Sequence, residues 1–166
     1  MPRPSSRLDL LLVPTDRAVA IDVDAWKEIY GRWQERGWLE GSRPGPAVDE
    51  LLVGGFARVW RDDPGVPTLY ANQQGGFRVR CPVQGSAIAR EFGRAVQSWR
   101  QGGPFALTCP VCDQEHALDA MDLQPKVRFG RGAIVFSAAN GMELEPGALA
   151  EVKASFGPLE IVLRRV

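Results

Sequence analysis

All three cysteines of this 166-residue chain, and its only histidine, fall between Cys81 and His116. They sit in two related half-motifs. The first reads Phe77-Arg78-Val79-Arg80-Cys81-Pro82-Val83-Gln84-Gly85, and the second Phe105-Ala106-Leu107-Thr108-Cys109-Pro110-Val111-Cys112-Asp113. Each opens on Phe, passes through a short strand-like run, reaches Cys-Pro-Val and turns. The second holds a complete Cys-x-x-Cys; in the first, Gln84 stands where the second cysteine would be. Two chemistries use such a pattern. A tetrahedral zinc site takes soft or borderline ligands, usually two from each of two turns. A Cys-x-x-Cys with its first thiol at a helix N-terminus carries out thiol–disulfide exchange.

The Cys-Pro-x-Cys turn bends tightly enough for backbone N–H groups to point at the thiolates and stabilise their charge. The stretch Phe77 to Met121 resembles zinc-ribbon and rubredoxin-type knuckles, which carry Cys-Pro-x-Cys-Gly. Cys109-Pro110-Val111-Cys112-Asp113 and Cys81-Pro82-Val83-Gln84-Gly85 each match four of those five positions, the second at the loss of a ligand. The resemblance implies a zinc ion in a closed, structural site. Three thiolates are available from Cys81, Cys109 and Cys112, and His116, four residues beyond Cys112, is the candidate for the fourth ligand. Water and the Gln84 oxygen are poorer candidates, and a metal-free remnant held by packing is the competing reading. Catalysis by the metal needs an open position, and Glu115 is the one nearby general base.

Phe105 to Thr108 followed by Cys109-Pro110-Val111-Cys112 also looks like a thioredoxin- or glutaredoxin-type site. That resemblance implies Cys109 as nucleophile and Cys112 as resolving thiol. It leaves the paired half-motifs unexplained, and the acidic Asp113-Gln114-Glu115-His116 that follows gives no clear long helix. Other chemistry is thin. Gly54-Gly55 and Gly75-Gly76 lack the spacing and lysine of a phosphate loop. No nucleophile-elbow sequence accompanies the single histidine.

The elements that must position the half-motifs follow from periodicity. Leu8 to Val13 is a short apolar run ended by Pro14, and reads as a buried strand. Val19 to Asp22 is a second short strand or a lead-in. Asp22 or Asp24 caps a helix in which Trp26, Ile29, Tyr30 and Trp33 line one face, with Gly37 closing it. This aromatic stripe is expected in the core. The short Val48 to Val53 run holds a single turn of helix around Asp49 to Leu52. Phe56 to Arg61 and Thr68 to Ala71 read as strands joined by the turn Asp62-Asp63-Pro64-Gly65, and so as a hairpin. Ser86 to Arg100 reads as a helix capped by Ser86, with Ile88, Phe92, Val96 and Trp99 inward. Gln124 to Gly132 reads as a loop. Ala133 to Ala138 is a strand, Pro146 starts a helix with Leu149, Val152 and Phe156 inward, and Leu159 to Val166 is the last strand.

This order gives a single α+β domain over residues 1–166. Two βαβ-like halves flank an inserted zinc-ribbon-like subdomain, residues 77–121, with its own helix. The economical arrangement is a split-βαβ, ferredoxin-like sheet. An apolar fraction of 45% and a charged fraction of 24% are ordinary for a globular chain. The longest apolar run, Leu10 to Val13, is far too short to span a membrane, and no signal peptide is evident. Odd cysteine usage argues against a disulfide framework and for a reducing compartment, most simply the cytoplasm of a bacterium-like cell. Residues 77–132 carry 8 basic and 5 acidic residues against 9 and 11 for residues 1–76, a weak basic footprint for nucleic acid. The expected role is a non-enzymatic adaptor with another protein as partner. Its exposed candidate surfaces are the Gln73-Gln74-Gly75-Gly76 loop, the arginines of the Ser86 to Arg100 helix, and Arg128 to Arg131. Nucleic-acid binding is the first alternative and thiol redox chemistry the second.

Overall fold

The computed structural model describes residues 7–72 and 77–166. The loop candidate Gln73 to Gly76 lies outside the described residues. In chain order the first half contains β1 (Leu8–Pro14), α1 (Val23–Glu35), β2 (Leu39–Glu40), β3 (Arg43–Pro44), α2 (Val48–Leu51) and β4 (Arg58–Asp62). The middle contains β5 (Thr68–Tyr70), β6 (Arg78–Arg80), α3 (Ala89–Arg100), β7 (Ala106–Thr108), β8 (Glu115–Ala117), β9 (Asp122–Gln124) and β10 (Arg128–Gly130). The chain returns through β11 (Ala133–Ser137), α4 (Pro146–Phe156) and β12 (Leu159–Arg165). Among the described residues no helix is long and apolar enough to cross a membrane.

β1 lies inside a sheet ordered β12-β1-β11-β4, antiparallel at every pairing. The β1–α1–β4 path leaves room for β11 between its strands, and the β11–α4–β12 path spans β1. Side chains alternate across a strand. Leu10 and Leu12 therefore join Ile134, Phe136 and Val59 on one face, which α1 and α4 cover with Trp26, Ile29, Trp33, Ala148, Val152 and Phe156. The aromatic stripe of α1 is thus core, with Trp33 stacked near Phe136 at 6.3 Å and Phe56 edge-on to Phe136 at 5.0 Å. Asp22 caps α1 by accepting the Ala25 N–H, so the preceding residues serve as a lead-in and no strand forms there. Outside the core, Glu151 of α4 clamps Arg32 and Arg36 of α1.

The opposite face carries Leu11, Val13, Ala133, Val135 and Val162, packed with Tyr70 of β5. Here the hairpin expectation fails. β4 pairs with β11, whose five residues are all buried, while β5 leaves the sheet to pair with β10. The pairing of β5 with β10 puts Tyr70 over an apolar sheet face that would otherwise meet water. It also turns part of the expected Gln124 to Gly132 loop into strand.

The residues between β4 and β11 build a second apolar cluster. Its buried members run from Ala71 to Phe129 and include Val79, Ile88, Phe92, Val96, Trp99, Leu107 and Leu118. This cluster reaches further on both sides than residues 77–121. Phe77, Phe92, Phe129, Trp99 and Phe105 pack edge to face or tilted, with centroids 5.0 to 6.2 Å apart. Arg17, from the loop after β1, lies 3.8 Å over the Phe105 ring. Glu160 of β12 binds Lys126, and Arg128 at 2.8 Å. Arg128 is thereby tied down rather than offered to a partner.

The Tyr70 hydroxyl donates to Asp62 at 2.7 Å. Burial first, and then that carboxylate, pushes the phenol far above its ordinary range. A pKa raised in the folded state means a stabilising contribution that is whole below the unfolded value of about 10 and is lost as pH rises beyond it. In a Tyr30→Phe background, phenolate absorbance should therefore appear only together with unfolding. Tyr70→Phe should lower stability by about 1–2 kcal/mol at neutral pH. Phenolate absorbance that rises in the folded state, ahead of the circular-dichroism transition, would contradict this placement.

Candidate metal centre

The two half-motifs fold alike. After the first, the Cys81 N–H donates to the Ser86 carbonyl and the Gly85 N–H to the Cys81 carbonyl, both at 2.8 Å. After the second, the Cys109 N–H donates to the Gln114 carbonyl and the Asp113 N–H to the Cys109 carbonyl, both at 2.9 Å. The left-handed turn residue falls at the same place in each, Gly85 at φ 70° and Asp113 at φ 59°. Ser86 is used in closing the first knuckle. That is why it does not cap α3, which starts at Ala89 behind Ile88 with no side-chain cap. β6 pairs with β9 and β7 with β8, so each knuckle grows from the end of a two-stranded ladder.

The ladders carry the ligand atoms to one point. Leu107 of β7 faces His116 of β8 in register and is buried in the second cluster, so the imidazole lies on the inner side of its ladder. Cys81 Sγ, Cys112 Sγ and a His116 ring nitrogen all lie within 4.8 Å of one another. The Cys81–Cys112 sulfur separation is 3.6 Å and the Cys112 Sγ to His116 Nε2 separation is 3.2 Å. A disulfide would need about 2.05 Å, so these are free thiols. A tetrahedral ion with metal–sulfur bonds of about 2.3 Å and metal–nitrogen bonds of about 2.05 Å has edges of about 3.8 and 3.6 Å. The observed separations come close to these edges, the sulfur–nitrogen one being the shorter, and the donor set fits such an ion.

Cys109 is not one of this mutually close trio. Its fully buried thiol lies in the same apolar cluster and accepts the Val111 N–H at 3.4 Å. The turn amides act as the Cys-Pro-Val spacing suggests. The Gln84 backbone N–H, helped by that of Val83 and by the two neighbouring thiols and opposed by burial, pulls Cys81 down to about 7. Burial pushes the Cys112 thiol up, with Cys81 and Cys109 adding to the shift and the Gln114 backbone opposing it. The cluster therefore contains one thiol readied to become a thiolate and one held neutral.

Two other sequence candidates lie apart from this point. The Gln84 side chain is exposed. Glu115 precedes His116 on β8, and strand alternation turns it to the opposite, exposed side. Cys112 is followed by a turn and by β8, so Cys109 is not at a helix N-terminus. The pairing of β9 with β6 was the positioning feature missed from sequence. Its one signal is the loose alternation around Leu123.

The turn geometry is testable without metal chemistry. A Cβ on Gly85 would meet open space, so Gly85→Ala carries a conformational cost alone, about 1 kcal/mol of stability. Asp113→Gly should have the opposite sign, a gain of up to about 1 kcal/mol. Urea unfolding of both variants checks this, and equal signs would refute the shared turn. No protein-family model, curated protein or solved structure matches this chain.

Proposed function

We propose that this chain is a non-enzymatic adaptor whose two knuckles are stapled by a structural zinc ion. Cys81, Cys109, Cys112 and His116 are its ligands, and His116 replaces the one that Gln84 does not supply. The observation that carries this reading is the convergence of Cys81, Cys112 and His116, with Cys109 buried in the same apolar cluster as Cys81. Four protein ligands close a tetrahedral site and leave no position for substrate, which favours structure over catalysis. Two of the thiols are buried in the second apolar cluster, where the ion would supply the counter-charge that buried thiolates need.

The same reading treats the chain as a scaffold plus an inserted knuckle subdomain. A ferredoxin-like, split-βαβ sheet is supported by the strand order β12-β1-β11-β4 and by the interleaved β1–α1–β4 and β11–α4–β12 paths. A zinc-ribbon-like insert is supported by the separate apolar cluster and by the matched turns. Free thiols fit a reducing compartment such as the cytoplasm.

Elemental analysis of the purified 166-residue chain should find one zinc per chain. Cys112→Ser should abolish it, and His116→Ala should weaken retention against a chelator by at least roughly tenfold. Chelation should lower the melting temperature of the native chain and leave that of Cys112→Ser unchanged. A metal-free chain with a reversible disulfide among the three cysteines would replace this reading with a thiol-redox one.

A further inference from the structure

The three cysteines differ in what can reach them. Cys81 is 1% exposed and Cys109 is fully buried, whereas Cys112 is only half-buried. Oxidation of a thiol follows its exposure, so Cys112 is the one of the three that a small solute can meet. By sequence its redox partner is Cys109, in the same Cys-x-x-Cys turn. The structure groups the thiols differently. Cys112 Sγ lies 3.6 Å from Cys81 Sγ on the other knuckle. Cys109 stands outside the mutually close trio and keeps its sulfur on the Val111 N–H of its own turn.

The cross-knuckle pair is therefore the one placed to join. Its sulfurs need to close by about 1.5 Å to reach a bond of about 2.05 Å. A Cys109–Cys112 bond would stay inside one turn and fasten nothing across. A Cys81–Cys112 bond would tie the first knuckle to the second, which is what the ion does. We infer that Cys112 is an oxidation site for a hydroperoxide and that Cys81 resolves it, so that a zinc ion and a Cys81–Cys112 disulfide are alternative staples for the same two knuckles. This adds a means of regulation to the structural-zinc reading above and rests on it.

The Cys112 thiolate attacks the terminal oxygen of the hydroperoxide and the O–O bond breaks. Cys112 becomes a sulfenic acid, and the leaving alkoxide takes a proton from solvent to become the alcohol. The Cys81 thiolate then attacks the Cys112 sulfur, the S–O bond breaks, and hydroxide leaves with a second proton as water. The two thiolates lose two electrons, which the peroxide gains, and two protons are consumed. Cys109 and His116 are the ligands that remain. A closed zinc site takes four, so the ion is released with its charge unchanged. A dithiol reductant reverses the disulfide by exchange and restores the ligand set.

The test treats the zinc-loaded 166-residue chain with hydrogen peroxide, follows zinc release with a chromogenic chelator, and locates disulfides by mass spectrometry of non-reduced peptides. One zinc should be released for each disulfide formed, and the linked peptides should join Cys81 to Cys112. Dithiothreitol with added zinc should restore the starting state. Cys81→Ser is compared with the native chain after both are stripped of metal. The variant should give a Cys112 sulfenic acid that dimedone traps, where the native chain gives the disulfide instead. Circular dichroism establishes that the variant is folded; if it is not, the linked-peptide map of the native chain decides alone. A Cys109–Cys112 link in the native chain, Cys112 carried to the sulfinic acid without a disulfide, or zinc retained in excess peroxide overturns this inference and leaves the structural zinc standing. A chain that neither holds nor takes up zinc before peroxide is added overturns both.

Discussion

Leu10, Leu11, Leu12 and Val13 are all fully buried, and successive residues of a strand point to opposite faces. Both faces of the sheet must therefore be covered, and much of the architecture follows from that requirement. α1 and α4 meet it on one side with large aromatic and aliphatic side chains. On the other side the strand pair β5–β10 brings Tyr70 over Leu11, Val13 and Val135. The unit that holds the cysteines is thus attached to the sheet through the pair that shields its second face. Burying that face contributes about 1.5–3 kcal/mol for each large aliphatic side chain. The attachment is part of the main core rather than an ornament on it.

The cysteines have a similar double role. Cys81 and Cys109 are among the most buried residues of the second cluster, beside Ile88, Phe92 and Leu118. Thiols can serve there as small apolar side chains. What sets them apart is the turn following each one, whose amides point at sulfur. An amide directed at a thiol favours the thiolate, and a thiolate in an apolar surrounding needs a counter-charge. The packing and the turn amides therefore pull in opposite directions, and a bound cation would reconcile them.

Legibility from sequence varied with range. β1, α1, β11, α4 and β12 were readable because their periodicity and caps are local: Asp22 before α1, Pro146 inside α4, Gly157 after it. The relation of the two half-motifs was readable from their repeat, and the turns at Gly85 and Asp113 bear out that equivalence. The partners of β4 and β5 were not. The Asp-Asp-Pro-Gly turn gives a strong local hairpin signal, yet the choice between β5 and β11 as partner for β4 depends on which apolar faces remain uncovered, a property of the whole sheet. Ser86 misled for a related reason. A serine ahead of a helix normally caps it, but its carbonyl was required by Cys81 five residues back. The sharing of one cluster by Cys81, Cys112 and His116 depends on the pairings β6–β9 and β7–β8, which three-residue strands scarcely announce.

Asp62 and Ala133 are neighbours across the β4–β11 ladder although they stand 71 positions apart in the chain (133 − 62). Joining the ends of a disordered segment of that length carries an entropic penalty of about 4 kcal/mol. The intervening unit has its own apolar cluster and its own short-range ladders, so it can order locally and act as a short, stiff link between the two strands. Its two ends then arrive already near each other. Whatever fastens the knuckles together, though remote from β4 and β11, thereby sets how readily those strands find one another. The cysteine cluster would then bear on the closure of a sheet it does not touch.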